Sequence, residues 1–205
     1  MKATKNIKPN ANPNRTVTGN KVIFLDIDGV VNYFPEPEYS DWRSHEKIKN
    51  VPSCCGFMGI QTSRLKLLKK IVDATDSIIV LVSSWKEGWE RYVYSGFKIL
   101  NETSPTDVGG KYIHNKFRRV GLQIDETTLQ YETFWGGRAE GIIKYLNAHP
   151  AVTHYVILDD EMFAGYRTEP CNSHLVKTDE RVGLTEENVN KAIEILGGSE
   201  NVRTL

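Results

Sequence analysis

Three short apolar runs in this chain end in side chains capable of chemistry. The run Val22-Ile23-Phe24-Leu25 stops at Asp26, and Asp26-Ile27-Asp28-Gly29 sets two carboxylates two residues apart beside a glycine that lets the backbone turn sharply. Residues 78–82 stop at Ser83, and residues 155–158 stop at Asp159-Asp160. Taken singly, each motif has an ordinary reading. Asp-x-Asp-Gly opens many turns and also begins calcium loops; Asp-Asp can be an acid pair at a helix N-terminus, and Ser83-Ser84 can cap a helix. An EF-hand would need further oxygen ligands and a glutamate after the glycine, between two helices. Here an apolar strand precedes the motif and Val30-Val31 follows it, which excludes that reading.

These residues must be positioned by the elements that carry them. All three runs are uninterrupted rather than alternating, as expected for strands covered on both faces. Three buried strands, each ending in polar reactive side chains, fit a parallel sheet whose ligand lies beyond the strand C-termini. Leu65, Leu68, Ile71 and Val72 predict a helix over 62–74, with the nearby lysines on its solvated side. Ser84 and Glu87 have capping-box spacing, so a helix is expected just after the second strand. Ala139, Ile142, Ile143 and Leu146 predict a helix leading into the third strand. Thr185 is expected to cap a last helix carrying Val189, Ala192, Ile193 and Leu196, with Leu184 stapled onto Val189 and Gly197 as the stop. A further strand is expected at 174–176. This alternation predicts an α/β fold, a doubly wound, Rossmann-like parallel sheet. Residues 33–59 and 101–137 show no clear period and are read as long loops of the functional kind.

With those elements in place, the chain resembles the haloacid dehalogenase (HAD) superfamily, whose first motif is an apolar strand followed by Asp-x-Asp-Gly-Thr/Val. The second motif is matched at Ser83 and the acidic fourth motif at Asp159 and Asp160. The phrases Leu-Val-Ser-Ser-Trp-Lys, Gly-Arg-Ala-Glu-Gly-Ile-Ile and Val-Ile-Leu-Asp-Asp are similar to the phosphatase-domain branch found in Swiss Army Knife RNA repair proteins. The resemblance runs from about Val22 to Leu196. It implies a Mg²⁺-dependent phosphatase in which Asp26 attacks phosphorus and also binds the metal. Asp28 would protonate the leaving oxygen, later deprotonate the hydrolytic water, and bind metal through its main-chain carbonyl. Asp159 and Asp160 would complete the Mg²⁺ site, a role that their place after a buried strand favours. Ser83 would bind the phosphoryl oxygens, and Arg138 would take the place of the family's commoner lysine, ahead of the outward-facing Lys144. The acid at Asp28 points to phosphate esters, and the lack of a long helical insertion implies a small or absent cap and an open site. Phosphorylated substrates, RNA or DNA ends among them, are the expected partners.

Composition bounds the rest. A chain of 205 residues suits one domain that removes roughly 70% of its unfolded surface from water. Its 26 basic and 26 acidic side chains cancel, which excludes a general polyanion-binding surface. Residues 1–20, with four cations and no acid, are expected to be a flexible tail, leaving 21–205 as a single catalytic domain. No apolar run is long enough for a membrane span, and the start of the chain lacks a secretion-type stretch, so a cytoplasmic address is expected. Three cysteines, two of them adjacent at Cys54-Cys55, are expected to be reduced thiols. The five histidines have no metal spacing, and the four tryptophans are expected mainly in packing, with base stacking as the alternative. Lys111, Lys116, Arg118 and Arg119 form the densest basic group, the first place to look for nucleic acid. A second class of function is a phospho-ligand or nucleic-acid binding module without turnover. Every catalytic position is filled, which weighs against it.

Overall fold

The computed structural model describes residues 20–33, 59–100, 105–133 and 137–197. The first apolar run forms β1 (Lys21–Leu25), and its side chains alternate between two cores. Ile23 and Leu25 enter one, Val22 and Phe24 the other, so a strand with no polar face is buried from both sides. The same division holds for β2 (Ile78–Leu81) and β4 (His154–Asp159). With β3 (Glu126–Thr127) and β5 (Leu175–Lys177) they make a five-stranded sheet in the order β3-β2-β1-β4-β5, every pair parallel. The chain leaves β1 towards β2 on one side and returns to β4 on the other. This reversal places the C-terminal ends of β1 and β4 at the crevice where open α/β sheets bind ligands.

On the first face pack α1 (Thr62–Thr75) through Leu65, Leu68 and Ile71, and α5 (Glu186–Ile195) through Val189, Ala192 and Ile193. Trp89 of α2 (Lys86–Tyr94) and Ile113 and Phe117 of α3 (Pro105–Arg119) extend that layer. On the second face lies α4 (Arg138–Ala148), with Ala139, Ile142 and Tyr145 against Phe24. Thr185 caps α5 in a reciprocal pair with Asn188, and Gly197 follows the helix at φ +62°.

Three local expectations are corrected. Ser84 does not cap α2: the cap position is Trp85, whose N–H reaches the Ser83 hydroxyl at 3.4 Å. Ile143 is exposed, and Tyr145, one turn after Ile142, takes the core place. Residues 105–119, expected as loop, are helical. Their Gly109-Gly110 pair reads as a breaker, yet a Cβ on Gly110 would lie 2.0 Å from the Gly88 main-chain oxygen, so the glycine is what lets α3 approach α2. Residues 1–19 of the expected N-terminal tail, Trp42, His45, Cys54, Cys55, Trp135 and most of the 33–59 stretch, with its bearing on the size of a cap, lie outside the described residues, whereas the Asn20 carbonyl accepts the Thr153 N–H at 2.7 Å. No helix among the described residues is long and apolar enough to cross a membrane.

Candidate active site

The main chain brings the first two acids together. Leu25 pairs with Leu158, and the Asp26 N–H continues the ladder by donating to the Leu158 carbonyl at 2.9 Å. Asp26 and Asp159 are thus neighbours at the ends of adjacent strands, both buried. Asp26 Oδ1 accepts the Ile27 N–H at 2.7 Å, and Asp159 Oδ1 accepts the Glu161 N–H at 3.0 Å. One oxygen each of Asp26, Asp159 and Asp160 lie within 4.8 Å of one another.

The loop after β1 is held from several sides. Thr178 donates to the Gly29 carbonyl at 2.8 Å, Leu184 N–H to Val30 and Gln61 N–H to Val31. Gly29 sits at φ +65°, and a Cβ there would fall 2.1 Å from Cγ of Asp160. Only glycine allows both this left-handed turn and the close seat of the Asp160 carboxyl.

Arg138 opens α4 and points its guanidinium into the cluster. A single nitrogen, Nη1, donates to Asp26 Oδ2 at 2.6 Å and to Asp159 Oδ2 at 2.8 Å, while the guanidinium lies 4.5 Å from the Phe163 ring centroid. Tyr166 adds a hydroxyl donor to Asp159 Oδ2 at 3.2 Å. Burial works against the Arg138 charge, but Asp26 and Asp159 outweigh it and raise its pKa, so the guanidinium stays protonated. Lys144, by contrast, pairs with Glu140 on the outer side of α4.

One guanidinium does not neutralise this much acid. Burial, with the nearby Asp26 charge, pushes Asp28 up to about 7, Asp159 to about 6 and Asp160 to about 7. The site therefore lacks positive charge. Three carboxylates offering hard oxygens at close range are the donor set that Mg²⁺ favours, so the residues present fit such an ion. The side chain of Asp28 stands apart from this oxygen group. Its Oδ2 accepts the Trp85 indole N–H and its Oδ1 the Asn32 amide, both at 2.7 Å.

Ser83 lies two residues past the end of β2, after Val82, whose N–H donates to the Leu25 carbonyl at 2.9 Å and so keeps this turn beside Asp26. Beneath it lies a residue that sequence reasoning missed. Lys86 is buried and donates to the carbonyls of Val82 and Ser83 at 3.3 and 3.2 Å, with a 3.0 Å ion pair to buried Glu132. Glu132 accepts from Thr128 and packs against Gly141 of α4, where a Cβ would come within 2.7 Å of its Cγ. The pair thus links the Ser83 turn to the helix that carries Arg138. No sequence signal marks it, because a lysine in a first helical turn normally reads as solvated.

Other expected candidates settle into packing. Trp89 is in the core, while His149 and His174 stack on Tyr145 and Tyr155 at 4.0 Å, and His114 contacts Phe97. Lys111, Lys116, Arg118 and Arg119 lie on α3, with Lys116 donating to the Ile60 carbonyl at 2.9 Å. Cys171 is a buried free thiol. A groove of about 460 Å³ opens at Asp160 and is lined by Glu161, Asp179 and Glu180 as well as by Lys177 and Arg181.

Against known proteins, residues 22–189 match the family model described as the HAD domain in Swiss Army Knife RNA repair proteins. No curated protein and no solved structure matches the chain.

Proposed function

Since the chain belongs to the family of HAD domains in Swiss Army Knife RNA repair proteins, we propose that it is a Mg²⁺-dependent phosphatase working through an aspartyl-phosphate. The observation that carries this reading is the convergence of Asp26, Asp159 and Asp160 around one point, with Arg138 bridging two of them. Phosphoryl transfer needs little from a protein beyond positioning and charge neutralisation, and this arrangement supplies both.

Asp26 attacks phosphorus, a new P–O bond forms to its carboxylate, and the bond to the leaving oxygen breaks. Asp28 in its acid form gives that oxygen a proton. Its pKa of about 7 lets it serve as acid first and base later at neutral pH. It then takes a proton from the water that cleaves the acyl phosphate, which restores the Asp26 carboxylate and releases inorganic phosphate. Ser83 and Arg138 hold the phosphoryl oxygens. Mg²⁺, held by Asp26, Asp159, Asp160 and the Asp28 main-chain carbonyl, would offset the charge of the phosphoryl group.

For the substrate, we favour phosphorylated RNA or DNA ends. The support is the RNA repair context of the family. Four acids and two bases line the groove that opens at Asp160, so the groove itself adds no attraction for a polyanion, and the substrate reading rests on the family.

The test is turnover of a chromogenic phosphomonoester with Mg²⁺, followed by a panel of end-phosphorylated oligonucleotides, nucleotides and sugar phosphates. Asp26→Asn should abolish turnover; full activity in that variant removes Asp26 as nucleophile. Release from nucleotides and sugars but never from oligonucleotide ends removes the narrower substrate. Tight binding of phosphorylated ligands with no hydrolysis at any metal concentration would favour a binding module instead.

A further inference from the structure

Trp85 occupies a position that the phosphatase reading alone does not require. It is the residue before α2, and it touches two site groups at once. Its indole N–H donates to Asp28 Oδ2 at 2.7 Å, and its main-chain N–H approaches Ser83 Oγ at 3.4 Å. The Asn32 amide donates to the other oxygen of Asp28, also at 2.7 Å. A carboxyl torsion is broad and weakly held by itself. Two donors on opposite oxygens fix its plane, because rotation out of that plane breaks both contacts together.

The indole is itself held. The Tyr112 ring lies against it with centroids 6.4 Å apart, and the Tyr112 hydroxyl accepts the Ile60 N–H at 3.0 Å. Lys116, from the same helix as Tyr112, donates to the Ile60 carbonyl at 2.9 Å. A path of contacts therefore runs from α3 through Tyr112 and Trp85 to Asp28.

We propose that Trp85 is a positioning residue: its indole N–H fixes the Asp28 carboxyl in the pose from which the leaving oxygen is protonated. The inference rests on the phosphatase reading, in which the bond from phosphorus to the leaving oxygen breaks, its electron pair stays on that oxygen, and the Asp28 proton completes the alcohol. Esters differ in how much they need that proton. An alkyl phosphate releases a strongly basic alkoxide unless it is protonated, whereas 4-nitrophenolate leaves without help.

The experiment compares an alkyl phosphate with 4-nitrophenyl phosphate in the wild-type chain and in Trp85→Phe, which keeps a ring but loses the donor. The comparison is made on the first turnover, because hydrolysis of the aspartyl-phosphate is common to both esters and also uses Asp28. General acid catalysis is worth about 10²–10⁴-fold, so Trp85→Phe should slow first-turnover release of the alcohol from the alkyl ester by about 10²-fold and leave that of 4-nitrophenolate within about threefold. Equal losses on the two esters, or no loss on either, would overturn the positioning role. Absence of turnover by the wild-type chain on both esters would instead strike the phosphatase reading and carry this inference with it.

A second measurement needs no turnover and no substituted tryptophan. The indole N–H resonance of Trp85 should be shifted downfield in the wild-type chain and move upfield in Asp28→Ala. An indole resonance indifferent to that substitution refutes the contact, and with it the proposal.

Discussion

Nη1 of Arg138 lies 2.6 Å from Asp26 and 2.8 Å from Asp159, so one nitrogen serves two carboxylates on neighbouring strands. It both steadies the proposed nucleophile and offsets a repulsion that the β1–β4 pairing creates. Removing it does two kinds of damage. Arg138→Met should lower kcat by about 10²–10³-fold, the usual loss for one transition-state donor. It should also destabilise the metal-free chain at pH 8 by about 3–5 kcal/mol, because two buried carboxylates lose their partner. Arg138→Lys keeps the charge but not the planar fork and should recover only part of either loss. Steady-state kinetics and urea unfolding in EDTA measure the two effects separately.

Gly29 should tolerate no side chain. Gly29→Ala adds a Cβ where the Asp160 carboxyl sits and puts alanine at φ +65°. The backbone strain alone costs about 1–3 kcal/mol. The displaced Asp160 should weaken Mg²⁺ binding as well, read by calorimetric titration of the folded variant. Unchanged affinity would mean that Asp160 holds no metal.

Proton linkage gives a pH-dependent stability with a definite sign. Asp28, Asp159 and Asp160 have folded pKa values raised to about 7, 6 and 7 from an ordinary value of 3.8. Between roughly pH 4 and 7 the folded chain therefore binds more protons than the unfolded one, so metal-free stability falls as pH rises through this window. Mg²⁺ competes with those protons, and its stabilising increment should grow over the same range. Urea titrations from pH 5 to 8, in EDTA and in Mg²⁺, test both slopes; a flat EDTA profile contradicts the first.

Lys86 and Glu132 should behave as a coupled buried pair. Lys86→Met or Glu132→Leu alone leaves one buried charge and should cost about 3–5 kcal/mol, while the double variant should cost much less than the sum. Denaturation midpoints of the four chains close the cycle. Simple additivity would show that the ion pair carries no coupling between the Ser83 turn and α4.

The parts of this molecule that were legible in the sequence share a physical cause. The runs at 22–25, 78–82 and 155–158 had no polar face, so they had to be strands covered on both sides, and their ends named Asp26, Ser83 and Asp159. Helices α1, α4 and α5 showed their stripes because each packs one face on the sheet. Helix α3 was not legible: its glycines serve contact with α2 rather than a turn, and its buried face is reduced to a few residues such as Ile113 and Phe117. Strand β3 has only two residues and no period to read. Among the site's supports, Trp85, Lys86 and Glu132 were invisible because their roles depend on partners that approach from elsewhere in the chain. The Trp85–Asp28 contact spans 57 positions.

The Asp26–Arg138 contact spans 112 positions, and Asp26 meets Asp159 only once β1 and β4 are side by side. Closing so long a stretch of chain is a slow, entropically opposed event. Asp26 and Asp28 are translated well before Arg138 and Asp159, so the carboxylate cluster is a late product of folding, assembled only when the middle of the sheet closes.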